Sequence, residues 1–148
     1  MNAEVKRILI VDDSPKDVEL AIAALSEKNL ANEVDIAEDG EEALEYLNKQ
    51  GKFSDRTNGN PAVILLDIKM PKMNGIEVLK YIREDPKFKI IPVIMVTSSR
   101  EEKDLVESYK LGANAYIVKP VDIAQFMESI KTLGQFWAVI NQQPHPII

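Results

Sequence analysis

Short aliphatic runs, separated by segments with helical periodicity, constrain the fold of this 148-residue chain more than any other feature. Continuous apolar runs of this length are typical of strands that are buried on both faces of a parallel sheet. The runs are RILIV (7–11), AVILL (62–66), PVIMV (92–96) and AYIVK (115–119), with EVDI (33–36) as a weaker candidate. The sequence therefore predicts five strands within one domain.

Helix start signals lie between the predicted strands. Residues that commonly cap helices precede three of the intervening segments, and they are Ser14 before Pro15, Ser99 with Glu102, and Asp122 with Gln125. The alternation of strand and helix predicts an α/β protein, with helices on both faces of a parallel sheet and right-handed crossovers. We expect a doubly wound, flavodoxin-like sheet of five parallel strands in the order 2-1-3-4-5.

Three aspartates follow two of the predicted strands. Asp12 and Asp13 come directly after RILIV, and Asp67 comes directly after AVILL. Strands 1 and 3 are neighbours in the predicted order, and ligands bind such sheets where the carboxyl ends of the strands meet. Carboxylates held this close repel one another unless a cation lies among them, and oxygen ligands favour Mg²⁺. Taken alone, Asp12 and Asp13 could merely end a strand and cap a helix, but Asp67 argues against that interpretation.

A hydroxyl group and an ammonium group follow two other strands. Thr97 comes after PVIMV, and Lys119 comes after AYIV. Beside a metal-bound carboxylate, the lysine can neutralise a phosphoryl group and the hydroxyl can donate a hydrogen bond to it. Aspartate is itself a nucleophile that forms acyl phosphates. Each residue alone has an ordinary interpretation, as a helix cap or a solvated side chain, so the combination carries the indication of phosphoryl chemistry.

Four motifs at these strand ends, VDDS, LLDIKMPKMNG, MVTSS and YIVKP, resemble the receiver domains of two-component response regulators. The resemblance covers residues 5–134 and implies the receiver fold. It also implies the following roles: Asp67 as phosphoacceptor, Asp12 and Asp13 as the Mg²⁺-binding acid pair, the Lys69 backbone carbonyl as a further metal ligand, Thr97 as the switch hydroxyl, Lys119 as the ion-pair partner of the phosphoryl group, and Tyr116 as the switch aromatic.

The function implied by this resemblance is Mg²⁺-dependent transfer of a phosphoryl group from a histidine kinase to Asp67. No independent substrate is expected beyond this self-phosphorylation and a slow autophosphatase activity. Phosphorylation is expected to pull Thr97 inward and let Tyr116 fill the vacated space, which changes the helix 4/strand 5/helix 5 surface that a downstream protein would contact. The proline bond after Lys119 is typically cis in the family. Lys69 departs from the small or amide residue often found there, and we expect its side chain to alter the acyl phosphate lifetime.

The chain contains more than a minimal receiver. We expect residues 5–134 to form the receiver domain and residues 135–148 a C-terminal helical extension and tail, in a stand-alone regulator. Residues 51–61 form a polar connection of unusual length, expected to be a solvated loop at the edge opposite the aspartates, with a kinase contact as the less favoured alternative. The loop and the tail resemble the small regulators paired with cyanobacterial phytochrome histidine kinases. Candidate contacts in a homodimer, at the end of the apolar stripe of the last helix, are Phe136, Trp137 and Ile140.

Composition narrows the chemistry further. The chain has no cysteine and a single histidine, His145, which excludes disulfides, thiolate metal sites and Ser-His-Asp catalysis. A net charge of -6 disfavours nucleic acid as a partner. The N-terminus lacks the layout of a signal peptide, and no apolar run approaches the roughly 20 residues needed to cross a bilayer. We therefore expect a cytoplasmic protein with no membrane partner.

A hydrolase, a flavin-binding protein and an interaction module are the alternatives. A haloacid-dehalogenase-like hydrolase needs a second acidic residue two places after the nucleophile, where this chain has Lys69. A flavin-binding protein needs a Ser/Thr/Gly-rich phosphate loop after the first strand, and the sequence has none there. A non-phosphorylated interaction module with a receiver fold stays open as an alternative, although every expected acidic, threonine and lysine position is occupied.

Overall fold

The computed structural model describes residues 7–27 and 33–131, with residues 129–131 described by their backbone alone. Strands and helices alternate along this part of the chain, which confirms the predicted pattern. The strands are β1 (Ile8–Val11), β2 (Val34–Ala37), β3 (Val63–Leu66), β4 (Val93–Thr97) and β5 (Ala115–Val118). The helices are α1 (Pro15–Ser26), α2 (Gly40–Asn48), α3 (Gly75–Glu84), α4 (Glu102–Lys110) and α5 (Ile123–Lys131), and a short 3-10 helix spans Gly51–Phe53.

The five strands form one parallel sheet in the predicted order, β2-β1-β3-β4-β5. β1 lies between β2 and β3, and Ile8 is in register with Val34 on one side and Val63 on the other. Every residue of β1, β3 and β4 is buried, which explains why their sequences are continuous apolar runs. β2 is an edge strand that is only partly buried, so its apolar signal is weaker.

Helices cover both faces of the sheet. Successive strand side chains point to opposite faces, so the buried strands supply apolar residues to two separate layers. Leu25 of α1 and Phe126 of α5 pack into one layer, and Tyr46 of α2 and Leu79 of α3 pack into the other. This two-sided burial fixes the strand ends, and with them the polar residues that follow each strand.

Two of the predicted helix caps are confirmed. Ser14 Oγ accepts a hydrogen bond from the Asp17 N–H at 3.2 Å, and the helix that follows has proline at its first position. Asp122 Oδ1 accepts hydrogen bonds from the N–H groups of Ala124 at 2.8 Å and Gln125 at 3.4 Å. Both caps satisfy N–H groups that the first turn of a helix leaves without an internal partner.

The fourth helix starts differently from the prediction. Ser99 with Glu102 predicted a capping box, but α4 begins at Glu102 and follows Glu101, whose side chain makes no capping hydrogen bond. Ser99 Oγ instead donates to Asp104 Oδ2 at 2.5 Å and accepts from the Glu101 N–H at 3.3 Å. Because Ser99 uses its hydroxyl in the turn that precedes the helix, the predicted capping box is wrong.

The connection between α2 and β3, residues 51–61, is built around Arg56. Its guanidinium carbon lies 4.0 Å from the centroid of the Tyr46 ring, and the group donates to the Tyr46 carbonyl oxygen at 2.7 and 3.0 Å. It also donates to the carbonyl oxygens of Asn58 and Gly59 at 2.9 and 2.8 Å. Most of this connection is exposed or half-buried, as expected of a solvated loop, and Arg56 in addition ties it to α2.

The predicted C-terminal extension, residues 135–148, lies outside the described residues, as do the candidate dimer contacts Phe136, Trp137 and Ile140. The division of the chain at residue 134 therefore stays a prediction. Within residues 7–27 and 33–131, no helix has the length and apolar character needed to cross a membrane.

Gly75 allows the loop after β3 to close against the end of that strand. As the first residue of α3, it donates its N–H to the Ile68 carbonyl oxygen at 2.9 Å. A Cβ atom at this position would lie 2.0 Å from the backbone carbonyl oxygen of Asp67. Only glycine permits so close an approach of two backbone segments, and the approach holds the backbone of Asp67 in place.

Replacing Gly75 by alanine is expected to lower the free energy of unfolding by about 2 kcal/mol, because the added methyl group overlaps backbone atoms. Helix propensity alone would favour alanine by about 1 kcal/mol, so the two effects differ in sign. Equilibrium urea denaturation measures the change. Lys80→Ala, at an exposed position of the same helix, is the control and is expected to shift the value by less than about 0.5 kcal/mol. A Gly75→Ala protein as stable as the wild type would contradict the close approach.

Candidate functional site

The carboxyl ends of four strands carry polar side chains to one edge of the sheet. Asp12 follows β1 and Asp67 follows β3, while Thr97 ends β4 and Lys119 follows β5. The sheet continues one residue beyond β1 and β3, because the Asp12 N–H donates to the Ala37 carbonyl at 3.1 Å and the Asp67 N–H donates to the Val11 carbonyl at 3.0 Å. These backbone bonds place the two carboxylates side by side, as predicted.

Asp12, Asp13 and Asp67 form a cluster in which one carboxylate oxygen of each lies within 4.8 Å of the others. Asp12 and Asp67 are buried, whereas Asp13 is exposed. Burial is the main reason that the pKa of Asp12 is raised above 3.8, and the charge of Asp67 adds to it, while hydrogen bonds from Lys119 and Ser14 oppose it. The carboxylates repel one another and are partly desolvated, and the cluster is open to solvent on the side of Asp13. Such a cluster fits a hard divalent cation that keeps several of its water ligands.

Lys119 supplies the positive charge closest to this cluster. Its Nζ lies 2.8 Å from Asp12 Oδ2, 2.9 Å from Asp17 Oδ2 and 3.1 Å from Asp67 Oδ2, and its side chain is only 12% exposed. Burial alone would lower the pKa of Lys119, but the hydrogen bonds to Asp12 and Asp17 and the charge of Asp67 outweigh it and raise the pKa above 10.5. The ammonium group is therefore charged throughout the physiological range. The peptide bond between Lys119 and Pro120 is cis, as expected.

Asp17 is a residue of the site that sequence reasoning missed. It lies in the first turn of α1, where its N–H donates to the cap Ser14. The helix begins shortly after Asp13, and its first turn brings the carboxylate of Asp17 to Lys119. The spacing from the cap was visible in the sequence, but an acidic residue in the first turn of a helix is commonly explained by the helix dipole alone.

Thr97 and Tyr116 both contact the backbone of Ser99. Thr97 is fully buried, and its Oγ1 accepts a hydrogen bond from the Ser99 N–H at 3.2 Å. The Tyr116 hydroxyl donates to the Ser99 carbonyl oxygen at 3.1 Å. Burial raises the pKa of Tyr116 above 10.0, although the bond to Ser99 opposes it, so the phenol stays protonated as a donor. One peptide segment thus links the two residues predicted to form the switch.

Lys69 borders the site through both its backbone and its side chain. Its N–H lies 3.4 Å from Asp67 Oδ1, a long hydrogen bond, and its exposed Nζ lies 3.9 Å from Glu101 Oε1 at the start of α4. Together with Asp13 and Asp104 it lines an open cleft between the loop after β3 and α4. The role of its carbonyl oxygen as a metal ligand stays a prediction.

The chain belongs to the family of response regulator receiver domains, whose family model matches residues 8–131. Within that family it is similar to phytochrome response regulators of known structure. It is 35% identical over 132 residues to response regulator Rcp1 of Synechocystis sp., covering 89% of this chain and 88% of that protein. These findings confirm the predicted family.

Solved structures agree. The bacteriophytochrome response regulator RtBRR is 54% identical, with a TM-score of 0.83 over 96% of this chain and 85% of that one. The phosphorylated cyanobacterial phytochrome response regulator RcpA is 37% identical, with a TM-score of 0.73 over 90% and 94% of the two chains. The Mn²⁺-bound form of Rcp1 is 33% identical, with a TM-score of 0.73 over 96% and 99%. The receiver fold is therefore shown by both sequence and structure.

Replacing Lys119 by methionine is expected to destabilise the metal-free protein by about 3 kcal/mol, because it leaves buried Asp12 and Asp67 without their cation. Excess Mg²⁺ is expected to restore much of that loss by compensating the same carboxylates. Urea denaturation with a chelator and with Mg²⁺ measures both values. The control is Lys103→Met, which removes an exposed lysine that pairs with the exposed Glu101 at 3.4 Å. Equal stability of the two variants without metal would show that Lys119 does not neutralise this cluster.

Proposed function

We propose that this protein is a response regulator in which Asp67 accepts a phosphoryl group from a histidine kinase. The observation that carries the proposal is the position of Lys119, whose ammonium group lies 3.1 Å from Asp67 Oδ2 and 2.8 Å from Asp12 Oδ2. A carboxylate beside a fixed positive charge, at the edge of a cleft, suits a nucleophile that must take on further negative charge.

In the proposed transfer, a carboxylate oxygen of Asp67 attacks the phosphorus atom of a phosphohistidine in line with the leaving imidazole. The new oxygen–phosphorus bond forms as the phosphorus–nitrogen bond breaks, and the imidazole nitrogen keeps the electron pair. Lys119 donates to a phosphoryl oxygen and balances the charge that builds up there. Asp12, Asp13 and Asp67, with the Lys69 carbonyl, would hold Mg²⁺, which when bound neutralises charge on the phosphoryl oxygens.

Thr97 and Tyr116 would convert the new charge into a change of shape. Thr97 accepts the Ser99 N–H with an oxygen lone pair, so its hydroxyl proton can donate to a phosphoryl oxygen. Turning toward the phosphoryl group would release Ser99, whose carbonyl oxygen holds the Tyr116 hydroxyl at 3.1 Å. Tyr116 would then move into the space that Thr97 leaves, and the turn before α4 would shift with it.

The face formed by α4, β5 and α5 is the proposed output surface. α4 buries only Ser108 among its residues, while Leu105, Val106 and Tyr109 are exposed large hydrophobic residues on the same helix. A helix with so small a buried face moves at low cost, and its exposed apolar residues suit contact with a downstream protein or a second copy. The homodimer remains part of this proposal.

Similarity to RtBRR and RcpA, both phytochrome response regulators, supports a phytochrome histidine kinase as the phosphodonor, and light as the signal. The Mn²⁺-bound form of Rcp1 supports a divalent cation at the corresponding acidic cluster. The alternative, an interaction module that is never phosphorylated, shares the fold and is separated from the proposal by the following experiment.

Incubation with acetyl phosphate and Mg²⁺ is expected to add one phosphoryl group to the wild type and none to Asp67→Ala, since that variant lacks the acceptor oxygen. Intact mass spectrometry measures the gain, and size-exclusion chromatography of the same samples reports any change in oligomeric state. Asp55→Asn, which neutralises an exposed aspartate of the 51–61 connection, is expected to behave like the wild type.

Phosphorylation of the Asp67→Ala protein would show that another residue is the acceptor. If the wild type gains no mass from acetyl phosphate or from a phytochrome kinase, the interaction module becomes the better description. A mass gain without a change in size would leave phosphoacceptance standing and remove phosphorylation-driven dimerisation from the proposal.

Lys69→Asn is expected to shorten the acyl phosphate lifetime several-fold. The long lysine side chain borders the cleft beside Asp67 and pairs with Glu101, whereas an amide would open the approach and hold the attacking water. Loss of phosphate from the purified phosphorylated proteins, followed by intact mass, measures the two rates. Lys80→Asn, on the exposed part of α3, is the control. Equal lifetimes in the wild type and Lys69→Asn would remove Lys69 from the hydrolysis step.

A further inference from the structure

The position of Asp17 beside Lys119 carries an inference that rests on the proposed phosphoacceptor function and deepens it. An ammonium group has three N–H donors, and the three oxygens around Lys119 Nζ lie 2.8, 2.9 and 3.1 Å away. One of these oxygens belongs to each of Asp12, Asp17 and Asp67. A phosphoryl oxygen can therefore bind Lys119 only if one carboxylate gives up its place.

The three carboxylates differ in how easily they give way. Asp12 and Asp67 are held at strand ends, with side chains that are 7% and 5% exposed. The side chain of Asp17 is 34% exposed and lies on the first turn of α1, so water can replace the lysine as its partner. Asp17 is therefore the most accessible of the three carboxylate partners of Lys119.

Charge makes the same distinction. Asp12 and Asp67 belong to the carboxylate cluster that fits a divalent cation, and Asp17 does not. A cation at that cluster would compensate its carboxylates and leave the Asp17 charge to be balanced by Lys119 alone. Phosphorylation adds further negative charge at Asp67. The negative charge of Asp17 disfavours this addition, because both groups attract the same Lys119 ammonium group.

We propose that Asp17 is a positioning residue that competes with the phosphoryl group for Lys119 and so limits how readily Asp67 is phosphorylated. With acetyl phosphate as donor, the Asp67 oxygen–phosphorus bond forms, the bond from phosphorus to the acetyl oxygen breaks, and acetate leaves with the electron pair. Lys119 changes partner from Asp17 to a phosphoryl oxygen during this exchange. Asp17 returns to the lysine when the phosphoryl group is lost.

The test compares Asp17→Asn, Asp17→Glu and Glu19→Gln with the wild type. Asp17→Asn removes the charge with little change in volume, and Asp17→Glu keeps the charge. Glu19→Gln removes the same charge from an exposed position of α1. Each protein is measured for thermal unfolding, for Mg²⁺ affinity by calorimetry, and for the rate of phosphorylation by acetyl phosphate at saturating Mg²⁺.

Asp17→Asn is expected to be phosphorylated about threefold faster than the wild type and to bind Mg²⁺ about threefold more weakly, the size of effect typical of a partly exposed charge pair. The rate rises because Lys119 is released to the phosphoryl group, and the Mg²⁺ affinity falls because one nearby negative charge is gone. Glu19→Gln is expected to match the wild type, and Asp17→Glu, which keeps the charge, is expected to lie closer to the wild type than Asp17→Asn does. A purely structural role for Asp17 would lower the rate and the affinity together.

The outcomes separate this inference from the proposed function. If the wild type is phosphorylated and Asp17→Asn has the same rate as Glu19→Gln, the inference is wrong and phosphoacceptance stands. A slower Asp17→Asn protein with unchanged unfolding would also overturn it, because Asp17 would then align Lys119 for transfer. A wild type that accepts no phosphoryl group overturns both.

Discussion

The ammonium group of Lys119, surrounded by carboxylates at the edge of a buried sheet, is the interaction on which the rest of this site depends. The buried carboxylates of Asp12 and Asp67 repel each other and lose solvation. Both effects destabilise the folded protein unless a nearby cation compensates them. Lys119 supplies that charge from β5, two strands away from β3 in the sheet order. The site is therefore stable before any ligand binds, yet it retains excess negative charge that attracts a divalent cation.

Precision at this site comes from the backbone. The sheet hydrogen bonds continue past β1 and β3 to the N–H groups of Asp12 and Asp67, so both carboxylates start from fixed positions. Gly75 then closes the next loop against the Asp67 carbonyl at a distance that no side chain allows. The resulting loop places the N–H of Lys69 near the Asp67 carboxylate. An acceptor that must meet a phosphorus atom in line benefits from this lack of freedom, since misplacement by even about 1 Å is costly in catalysis.

The sheet and its strand order were predictable because burial on both faces leaves a continuous apolar run for each central strand. The acidic cluster and Lys119 were predictable because parallel strands deliver their carboxyl ends to one edge. Asp17 was not, because a first-turn acid has a sufficient local explanation in the helix dipole, and its contact with Lys119 joins residues that lie 102 positions apart in the sequence. The start of α4 was missed because Ser99 bonds to Asp104, an alternative to capping that spacing alone does not distinguish. The reciprocal cap of α3 by Asn74 and Glu77 was overlooked, although its spacing is present in the sequence.

The elements on the two sides of Ser99 differ in how firmly they are packed, and this difference bears on which of them would move if the site changed. On one side lies Thr97, fully buried within the sheet, where a shift of the backbone would disturb the hydrogen bonds to β5. On the other side lies α4, which buries only Ser108, and within residues 7–27 and 33–131 the Ser108 hydroxyl is the buried side-chain group without a hydrogen-bond partner. The Thr97 hydroxyl therefore lies between a rigid strand and a weakly packed helix. In the proposed switch, the cost of adjusting would fall on this helix, so charge introduced at Asp67 would be relieved by movement of the α4 surface and not by deformation of the core.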